Sequence, residues 1–189
     1  MTSQKLDRRK KYTRMVLKDH LVKLLSVKQI SSITVKEICE LADINRSTFY
    51  SHYSDQYDLL DKLEDEIIED MKGYLSQFSY KKEEDSSEVI EKLLEYFASK
   101  YEICTTLLND KIHTTFQKKV MIFANHFFME NWRAVTNLDE EPSEYMSTFI
   151  ISGSIHVIKN WLNKGMDRTP KEMAEIINSL IYKGLFGVK

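Results

Sequence analysis

Residues 34–53, with the sequence TVKEICELADINRSTFYSHY, predict two short helices joined by a three-residue turn. Thr34 is a favourable N-cap residue, and Glu37 three positions later completes a capping box at the start of the first helix. Asp43 tolerates the left-handed conformation that ends a helix in a tight turn. Asn45 then caps the second helix. This order of signals is typical of a helix-turn-helix, a motif whose second helix enters the major groove of DNA.

The second helix of the motif is expected to run from Arg46 to Tyr53, with one apolar and one polar side. Phe49 and Tyr53 are four residues apart, so both rings fall on the side that faces a core, and we expect the Tyr53 hydroxyl at the surface. The other positions present one cation and several hydrogen-bonding groups: Arg46, Ser47, Thr48, Tyr50, Ser51 and His52. Short polar groups of this kind reach base edges and phosphates, which the function of a recognition helix requires.

The charge of the chain is divided between its two parts. Residues 1–53 contain 11 Lys and Arg against 5 Asp and Glu, a net charge of +6, whereas residues 54–189 contain 16 against 24, a net charge of −8. Basic charge near phosphates drives DNA affinity and makes it salt-dependent. With five Gly, two Pro and 42% hydrophobic residues, the composition favours a folded and mainly helical protein.

Catalysis, a cofactor and a metal site find little support in the sequence. Cys39 and Cys104 do not have zinc-finger spacing, and the pair His126 and Glu130 has no third ligand nearby, so we expect no metal. No phosphate-binding loop, nucleotide fingerprint or catalytic triad is legible, so we predict neither an enzyme nor a cofactor. Without a signal peptide or a long apolar run, the chain is expected to be cytoplasmic and to make no membrane contact.

Further helices are predicted from apolar residues at helical spacing. A helix through Leu17 and Leu25 supplies the third wall of a small core, because two eight-residue helices bury little surface alone. The basic segment from Lys5 to Arg14 is either a disordered arm or the frayed start of that helix. Later helices are expected over residues 55–80, from residue 88 onward, around Leu107, and over 110–137, 143–163 and 169–186.

Residues 33–60, ITVKEICELADINRSTFYSHYSDQYDLL, resemble the TetR/AcrR family of bacterial transcriptional regulators. The likeness is carried by the Thr-initiated helix, the turn, the aromatic-x-His-aromatic ending at residues 50–53 and the acidic-aliphatic residues 58–60. Residues 161–177 and the spelling INRSTFYSHY also look like a branch of regulators of dihydroxyacetone kinase operons. The resemblance implies an all-α fold, with a three-helix DNA-binding head followed by a helical bundle for effector binding and dimerisation.

The family resemblance also implies where the functional parts lie. The head is expected at residues 1–54 and the ligand-binding and dimerisation domain at residues 55–189. The resemblance places these residues on DNA phosphates or base edges: Thr34, Lys36, Asn45, Arg46, Ser47, Thr48, Tyr50, Ser51, His52 and Gln56. Of these, Arg46, Ser47 and Thr48 are expected to read base edges. The alternative is an ordinary solvated helix face.

Two positions depart from the family pattern. Asp43 stands where the family usually has Gly, a replacement that costs little because Asp tolerates the left-handed conformation. Gln56 stands where the family often has Lys, so one ionic phosphate contact is lost. The basic segment from Lys5 to Arg14 is expected to compensate for that loss.

The body is expected to bind an effector and to dimerise. The resemblance implies an effector pocket lined by Tyr96, Tyr101, Phe116, Phe123, Phe127, Trp132 and Phe149. The alternative is that these rings pack a core or a partner interface, as stripes at helical spacing usually do. The last two helices are expected to form the homodimer interface, with Gly153 and Ser154 permitting close approach and Trp161 supplying area.

The sequence therefore favours a homodimeric repressor that binds a palindromic operator in double-stranded DNA. A small-molecule effector is expected to modulate DNA affinity through the helix at residues 55–80. The competing hypothesis is a co-regulator or activator that works mainly through protein contacts, which Gln56 and the acidic body make plausible.

Overall fold

The computed structural model describes residues 2–78, 85–109, 115–136 and 144–183, with side chains described over 7–78, 88–109, 115–130 and 144–181. Every regular element within these ranges is helical, which confirms the predicted all-α class. The α-helices of the described ranges are α1 Thr2–Leu25, α2 Val35–Ala42, α3 Arg46–Tyr50, α4 Gln56–Leu75, α5 Asp85–Ser99, α6 Tyr101–Leu107, α7 Phe116–Thr136, α8 Glu144–Asn163 and α9 Pro170–Lys183. A short 3₁₀ turn, Ile30–Ser32, precedes α2.

The chain divides into two compact units. The first unit consists of residues 1–66 together with 106–116, and the second of residues 67–105 together with 117–189. Helix α4 has residues in both units. The functional boundary expected after residue 54 stays a prediction.

A small core joins the first three helices of the first unit. Helix α1 packs against α2, and α2 packs against α3. Leu17, Leu21 and Leu25 of α1 are fully buried, as are Ile38 of α2 and Phe49 of α3. Burying one such side chain contributes about 1.5–3 kcal/mol, so this core stabilises two helices that are too short to persist alone. The prediction that α1 supplies the third wall is confirmed.

Helix α1 begins well before its first buried apolar residue. It begins at Thr2, so the basic segment is the first part of the helix rather than a disordered arm. Residues 7–12 are exposed, and Thr13 is the first buried one among the side chains described for this helix. The basic turns of α1 therefore extend beyond the core that holds the rest of the helix.

The second unit is held together mainly by α5 and α9, which pack along each other, and α8 also contacts α9. Helix α8 ends in a turn at Gly165, which has φ +73° and donates its N–H to the carbonyl of Leu162 at 2.9 Å, so the expected C-cap is confirmed. A complete capping box begins α9. The Thr169 amide donates to the Glu172 carboxylate at 2.8 Å and lowers the pKa of Glu172, while the Glu172 amide donates to the Thr169 hydroxyl at 3.2 Å.

Some helix boundaries differ from the predictions. Helix α3 ends at Tyr50 rather than Tyr53, because the amides of His52 and Tyr53 both donate to the carbonyl of Phe49 and tighten the chain into a turn. The Tyr53 hydroxyl, expected at the surface, is buried with its ring. Helix α4 ends at Leu75 instead of residue 80, and α5 begins three residues earlier than expected. The predicted helical residues 110–114, 137, 143 and 184–186 lie outside the described ranges.

Candidate nucleic-acid interface

The start of α2 is held by half of the predicted capping box. The Thr34 hydroxyl accepts a hydrogen bond from the Glu37 amide at 3.2 Å, as expected for an N-cap. The Glu37 carboxylate does not return to Thr34; it accepts hydrogen bonds from Lys28 at 2.5 and 2.6 Å instead. The predicted return bond, from the Thr34 amide to the Glu37 carboxylate, is therefore wrong. Lys28, in the loop before α2, competes for the same carboxylate.

The turn between α2 and α3 has the predicted geometry. Asp43 adopts a left-handed conformation, with φ 51° and ψ 45°, at the C-cap of α2. The next amide, that of Ile44, donates to the carbonyl of Cys39 at 3.0 Å. These bonds satisfy carbonyls that the end of α2 would otherwise leave without partners, and they set the direction in which α3 begins.

Asn45 fixes the first turn of α3. Its side-chain oxygen accepts hydrogen bonds from the backbone amide and from the hydroxyl of Ser47, both at 2.8 Å. At the other end of the helix, the hydroxyl of Ser51 donates to the carbonyl of Thr48 at 2.7 Å. A helix of five residues thus has a side-chain bond at each end, which orders the surface that Arg46 and Tyr50 share.

All the residues predicted to contact DNA lie in the first unit, on α2 and its N-cap, on α3 and the residues that flank it, and at the start of α4. The exposed members are Thr34, Lys36, Asn45, Arg46, Ser47, Tyr50 and Ser51, and the half-buried members are Thr48, His52 and Gln56. None of them is fully buried, so the fold leaves each one available to a ligand. Their contact with DNA stays a prediction.

A group of polar contacts joins the end of α3 to the start of α4. Asp55 caps α4 by accepting from the Asp58 amide at 2.8 Å, as predicted. The Asp58 carboxylate accepts from the Ser54 amide at 2.9 Å and from Lys62 at 3.0 Å, and these bonds lower the pKa of Asp58. Lys62 also donates to the carbonyl of His52 at 3.3 Å. The i,i+4 spacing of Asp58 and Lys62 is the signal in the sequence from which this ion pair could have been predicted.

His52 lies in a positively charged environment. Burial lowers the pKa of His52, and the charges of Arg14 and Lys10 on α1 lower it further. The basic segment was expected to compensate for Gln56, but none of its side chains was among the predicted contact residues. The structure brings Lys10 and Arg14 near the end of α3, which no local sequence pattern could have indicated.

The rings predicted to line an effector pocket have different environments. Phe116 is fully buried in the first unit, and Tyr96 is buried in the second unit, where its hydroxyl donates to the carbonyl of Ile67 at 3.0 Å. The half-buried members are Tyr101, Phe123 and Phe127, of which the last two have ring centroids 5.9 Å apart. Phe149 is 80% exposed, and the side chain of Trp132 lies outside the described residues. The pocket stays a prediction.

Exposed apolar side chains lie on α8 and α9. Tyr145 and Phe149, four residues apart on α8, are 88% and 80% exposed, and Ile176 and Leu180 on α9 are partly exposed at the same spacing. Trp161, expected to supply area to a dimer interface, is only 2% exposed because it packs inside the unit, where its indole N–H donates to the carbonyl of Arg168. That expectation was wrong.

Two further predictions concern metals and membranes. Within the described ranges, no three or more His, Cys, Asp or Glu side chains are grouped as a metal ion would require. The described helices include none that combines the length and the apolar character needed to span a bilayer.

Fold and surface together define an all-helical chain with an N-terminal helix-turn-helix and a C-terminal helical domain. A TetR family model described as "Transcriptional regulator C-terminal region" matches residues 84–183, just over half of the 189 residues. The chain belongs to the TetR family of transcriptional regulators. This membership confirms the family resemblance and the prediction that the protein is not an enzyme, since the family consists of regulators. The narrower branch stays a prediction.

The chain is also similar to individual proteins. The chain is 38% identical over 61 residues to the uncharacterized HTH-type transcriptional regulator YxbF of Bacillus subtilis (strain 168), a match that covers 32% of this chain and only 15% of that relative. The crystal structure of a TetR transcriptional regulator from Streptococcus agalactiae 2603V matches with a TM-score of 0.74 and 23% identity, over 95% of this chain and 98% of that one. The regulator FadR from Bacillus subtilis, solved with stearoyl-CoA, matches with a TM-score of 0.67 and 15% identity, over 90% and 98%. At these identities the structural likeness shows the fold alone.

Proposed function

We propose that this TetR-family regulator is a cytoplasmic repressor that binds a palindromic operator as a homodimer. The observation that carries the proposal is the capped α3, on which Arg46 and Tyr50 are exposed while Phe49 anchors the helix in the core. A single recognition helix reads a short half-site, so two copies on a palindrome give useful specificity.

The primary experiment measures binding to genomic fragments at several salt concentrations. A DNA-binding regulator selects fragments that share a palindrome, and its affinity for them falls steeply as salt rises. If the protein selects no fragment, and its affinity for DNA does not depend on salt, the proposal is wrong.

Arg46 is proposed to read a base, because its guanidinium is exposed on α3 and forms no ion pair within the described ranges. A bidentate contact to guanine is worth about 1–3 kcal/mol of discrimination. Arg46→Ala should therefore relax the preference for operator over unrelated DNA by roughly ten- to a hundredfold. Lys36→Gln serves as the control, since loss of a phosphate contact weakens binding to both DNAs equally. A uniform loss of affinity in Arg46→Ala would contradict base readout.

The homodimer is proposed to form through α8 and α9, which present the exposed apolar pairs Tyr145 with Phe149 and Ile176 with Leu180. Apolar side chains repeated along two helices are suited to a symmetric interface. Sedimentation velocity on the Phe149→Glu variant should show monomers at concentrations at which the unmodified chain is dimeric. Val27→Glu, at an exposed apolar position of the first unit, should leave the dimer intact.

The effector is proposed to be a small molecule with an apolar part that binds beside the rings of Phe123 and Phe127 on α7. Because the FadR structure contains stearoyl-CoA, that compound is the first probe. It should lower DNA affinity, and Phe123→Ala should reduce the response while Ile122→Ala, an exposed position on the same helix, should not. An unchanged DNA affinity at saturating stearoyl-CoA would exclude this effector class.

A co-regulator that acts through protein contacts is the second candidate. The observations in its favour are Gln56 in place of Lys and the net charge of −8 on residues 54–189. The salt titration separates the two candidates, because a co-regulator binds no operator specifically.

A further inference from the structure

The first turns of α1 carry cations on the side of the helix that farther along is apolar. Lys10 and Arg14 are seven residues before Leu17 and Leu21, and seven residues correspond to nearly two helical turns. The two cations therefore lie on the same side of α1 as these two core leucines, on a helix that packs against α2. Leu17 and Leu21 are fully buried, whereas Lys10 and Arg14 are exposed, because α1 extends beyond the core.

Most cations of the first unit outside the start of α1 form an ion pair with an acidic side chain. Lys18 pairs with Glu66. Lys28 pairs with Glu37 on α2. Farther along, ion pairs join Lys36 to Glu40 and Lys62 to Asp58.

By contrast, these five cations of α1 form no ion pair within the described ranges: Arg8, Arg9, Lys10, Lys11 and Arg14. Elsewhere in the unit, each of the paired lysines has an acidic partner that offsets its charge. The exposed start of α1 keeps its positive charge.

This charge acts on the end of α3. The charges of Arg14 and Lys10 add to the effect of burial in lowering the pKa of His52. Burial raises the pKa of the neighbouring Tyr53, and the charge of Arg14 opposes that rise. Lys10 and Arg14 are therefore within electrostatic range of the end of α3. A duplex that contacts His52 would bring its phosphates near these two cations.

We infer that Lys10 and Arg14 form a second phosphate-binding element, which contacts the DNA backbone next to the half-site read by α3. The inference rests on the proposed DNA-binding function and assigns residues that the helix-turn-helix does not contain. The element supplies ionic contacts that Gln56, at the start of α4, does not. Since phosphates are the same in every sequence, it adds affinity without adding sequence preference.

The test measures how affinity depends on salt for a labelled duplex of arbitrary sequence, about 30 base pairs long, between about 50 and 200 mM salt. The full chain is compared with Lys10→Gln, Arg14→Gln and Lys23→Gln. Lys23 is the matched control because it is an exposed lysine on the same helix, near the opposite end. Circular dichroism and thermal unfolding verify that all four proteins are folded.

A plot of log affinity against log salt has a negative slope, and each lost phosphate contact makes that slope less steep by about 0.9. Lys10→Gln and Arg14→Gln should each show this reduction, with weaker binding to every duplex and an unchanged ratio between operator and unrelated DNA. Lys23→Gln should keep the slope of the unmodified chain.

The outcomes separate this inference from the proposed function. If the unmodified chain binds DNA with a salt-dependent affinity and all three variants keep its slope, the inference is overturned while the proposed function stands. If the unmodified chain binds neither this duplex at the lowest salt nor any genomic fragment selectively, both are overturned. Binding to phosphatidylserine vesicles that is lost in Lys10→Gln and Arg14→Gln, with an unchanged DNA slope, would assign the two cations to anionic lipid and also overturn the inference.

Discussion

The carboxylate of Glu64 on α4 accepts two hydrogen bonds from Thr115, which lies 51 residues farther along the chain. The Thr115 amide donates to one carboxylate oxygen at 3.1 Å and its hydroxyl donates to the other at 2.5 Å. Glu64 is fully buried, and Thr115 immediately precedes the first residue of α7. A carboxylate at this position is favoured by the positive end of the helix dipole, so Glu64 fixes the start of α7 within the first unit.

Replacing Glu64 should destabilise the protein. Glu64→Ala removes a buried acceptor and leaves the donors of Thr115 without their partner, which should lower the free energy of unfolding by about 2–3 kcal/mol. Glu64→Gln keeps one acceptor oxygen and should lose less. Urea unfolding provides the measurement, with Asp65→Asn as an exposed neighbouring control expected to stay within about 0.5 kcal/mol of the unmodified chain. A Glu64→Ala variant that loses no more stability than Asp65→Asn would contradict a special role for Glu64.

Asn45 allows capping to be separated from DNA binding. Asn45→Ala removes the acceptor for the Ser47 amide and should destabilise the protein by about 1 kcal/mol. Asn45→Asp keeps that acceptor and should retain stability, but it adds a negative charge beside the surface proposed for phosphates. Its DNA affinity should therefore fall while its melting temperature does not. Thermal unfolding and DNA titration on the same samples test both statements, and an Asp variant with unchanged DNA affinity would place Asn45 away from the DNA.

Asp43 is a second position with a clear order of expected stabilities. Its φ of 51° lies in the left-handed region, where an ordinary side chain costs about 1–2 kcal/mol and Gly has no such penalty. Asp43→Gly should be at least as stable as the unmodified chain, whereas Asp43→Ala should lose about 1 kcal/mol. Thermal denaturation ranks the three proteins. If Ala proves as stable as Gly, the left-handed turn does not form in solution.

The stability of the protein should depend on pH through His52. Its pKa is lowered from 6.5 in the folded chain, first by burial and then by Arg14 and Lys10. The unfolded state therefore binds the proton more readily, so stability should fall as pH drops below about 6.5 and stay unaffected by this group above it. His52→Gln should reduce that loss, whereas His156→Gln, at an exposed position of the second unit, should not. Urea unfolding between about pH 5.5 and 7.5 makes the comparison.

The same histidine should couple DNA binding to protonation. A phosphate near His52 favours the charged imidazolium and raises its pKa, so binding takes up a proton and affinity should rise as pH falls toward 6. The His52→Gln variant should have a flatter pH profile. An identical profile in both proteins would show that His52 does not lie at the phosphates.

Local signals in the sequence predicted much of the helix-turn-helix. The hydroxyl of Thr34, the left-handed Asp43 and the side chain of Asn45 all act in the structure as their residue types suggested. Capping and turn formation depend on bonds between residues two to five positions apart, so the sequence itself contains the information. The end of α3 was predicted three residues too late, because the position of Tyr53 is decided by the core and not by helix propensity.

The sequence by itself determined the helical class, the motif and the family, since these depend on periodicity and on short-range spacing. Only the tertiary structure decided which charges keep a partner. It directed Glu37 to Lys28 and away from Thr34, placed Glu64 against Thr115, and brought Lys10 and Arg14 to the end of α3. Ion pairs and electrostatic neighbours form between residues that are distant in sequence, and their strength depends on burial and distance, which exist only once the helices have packed.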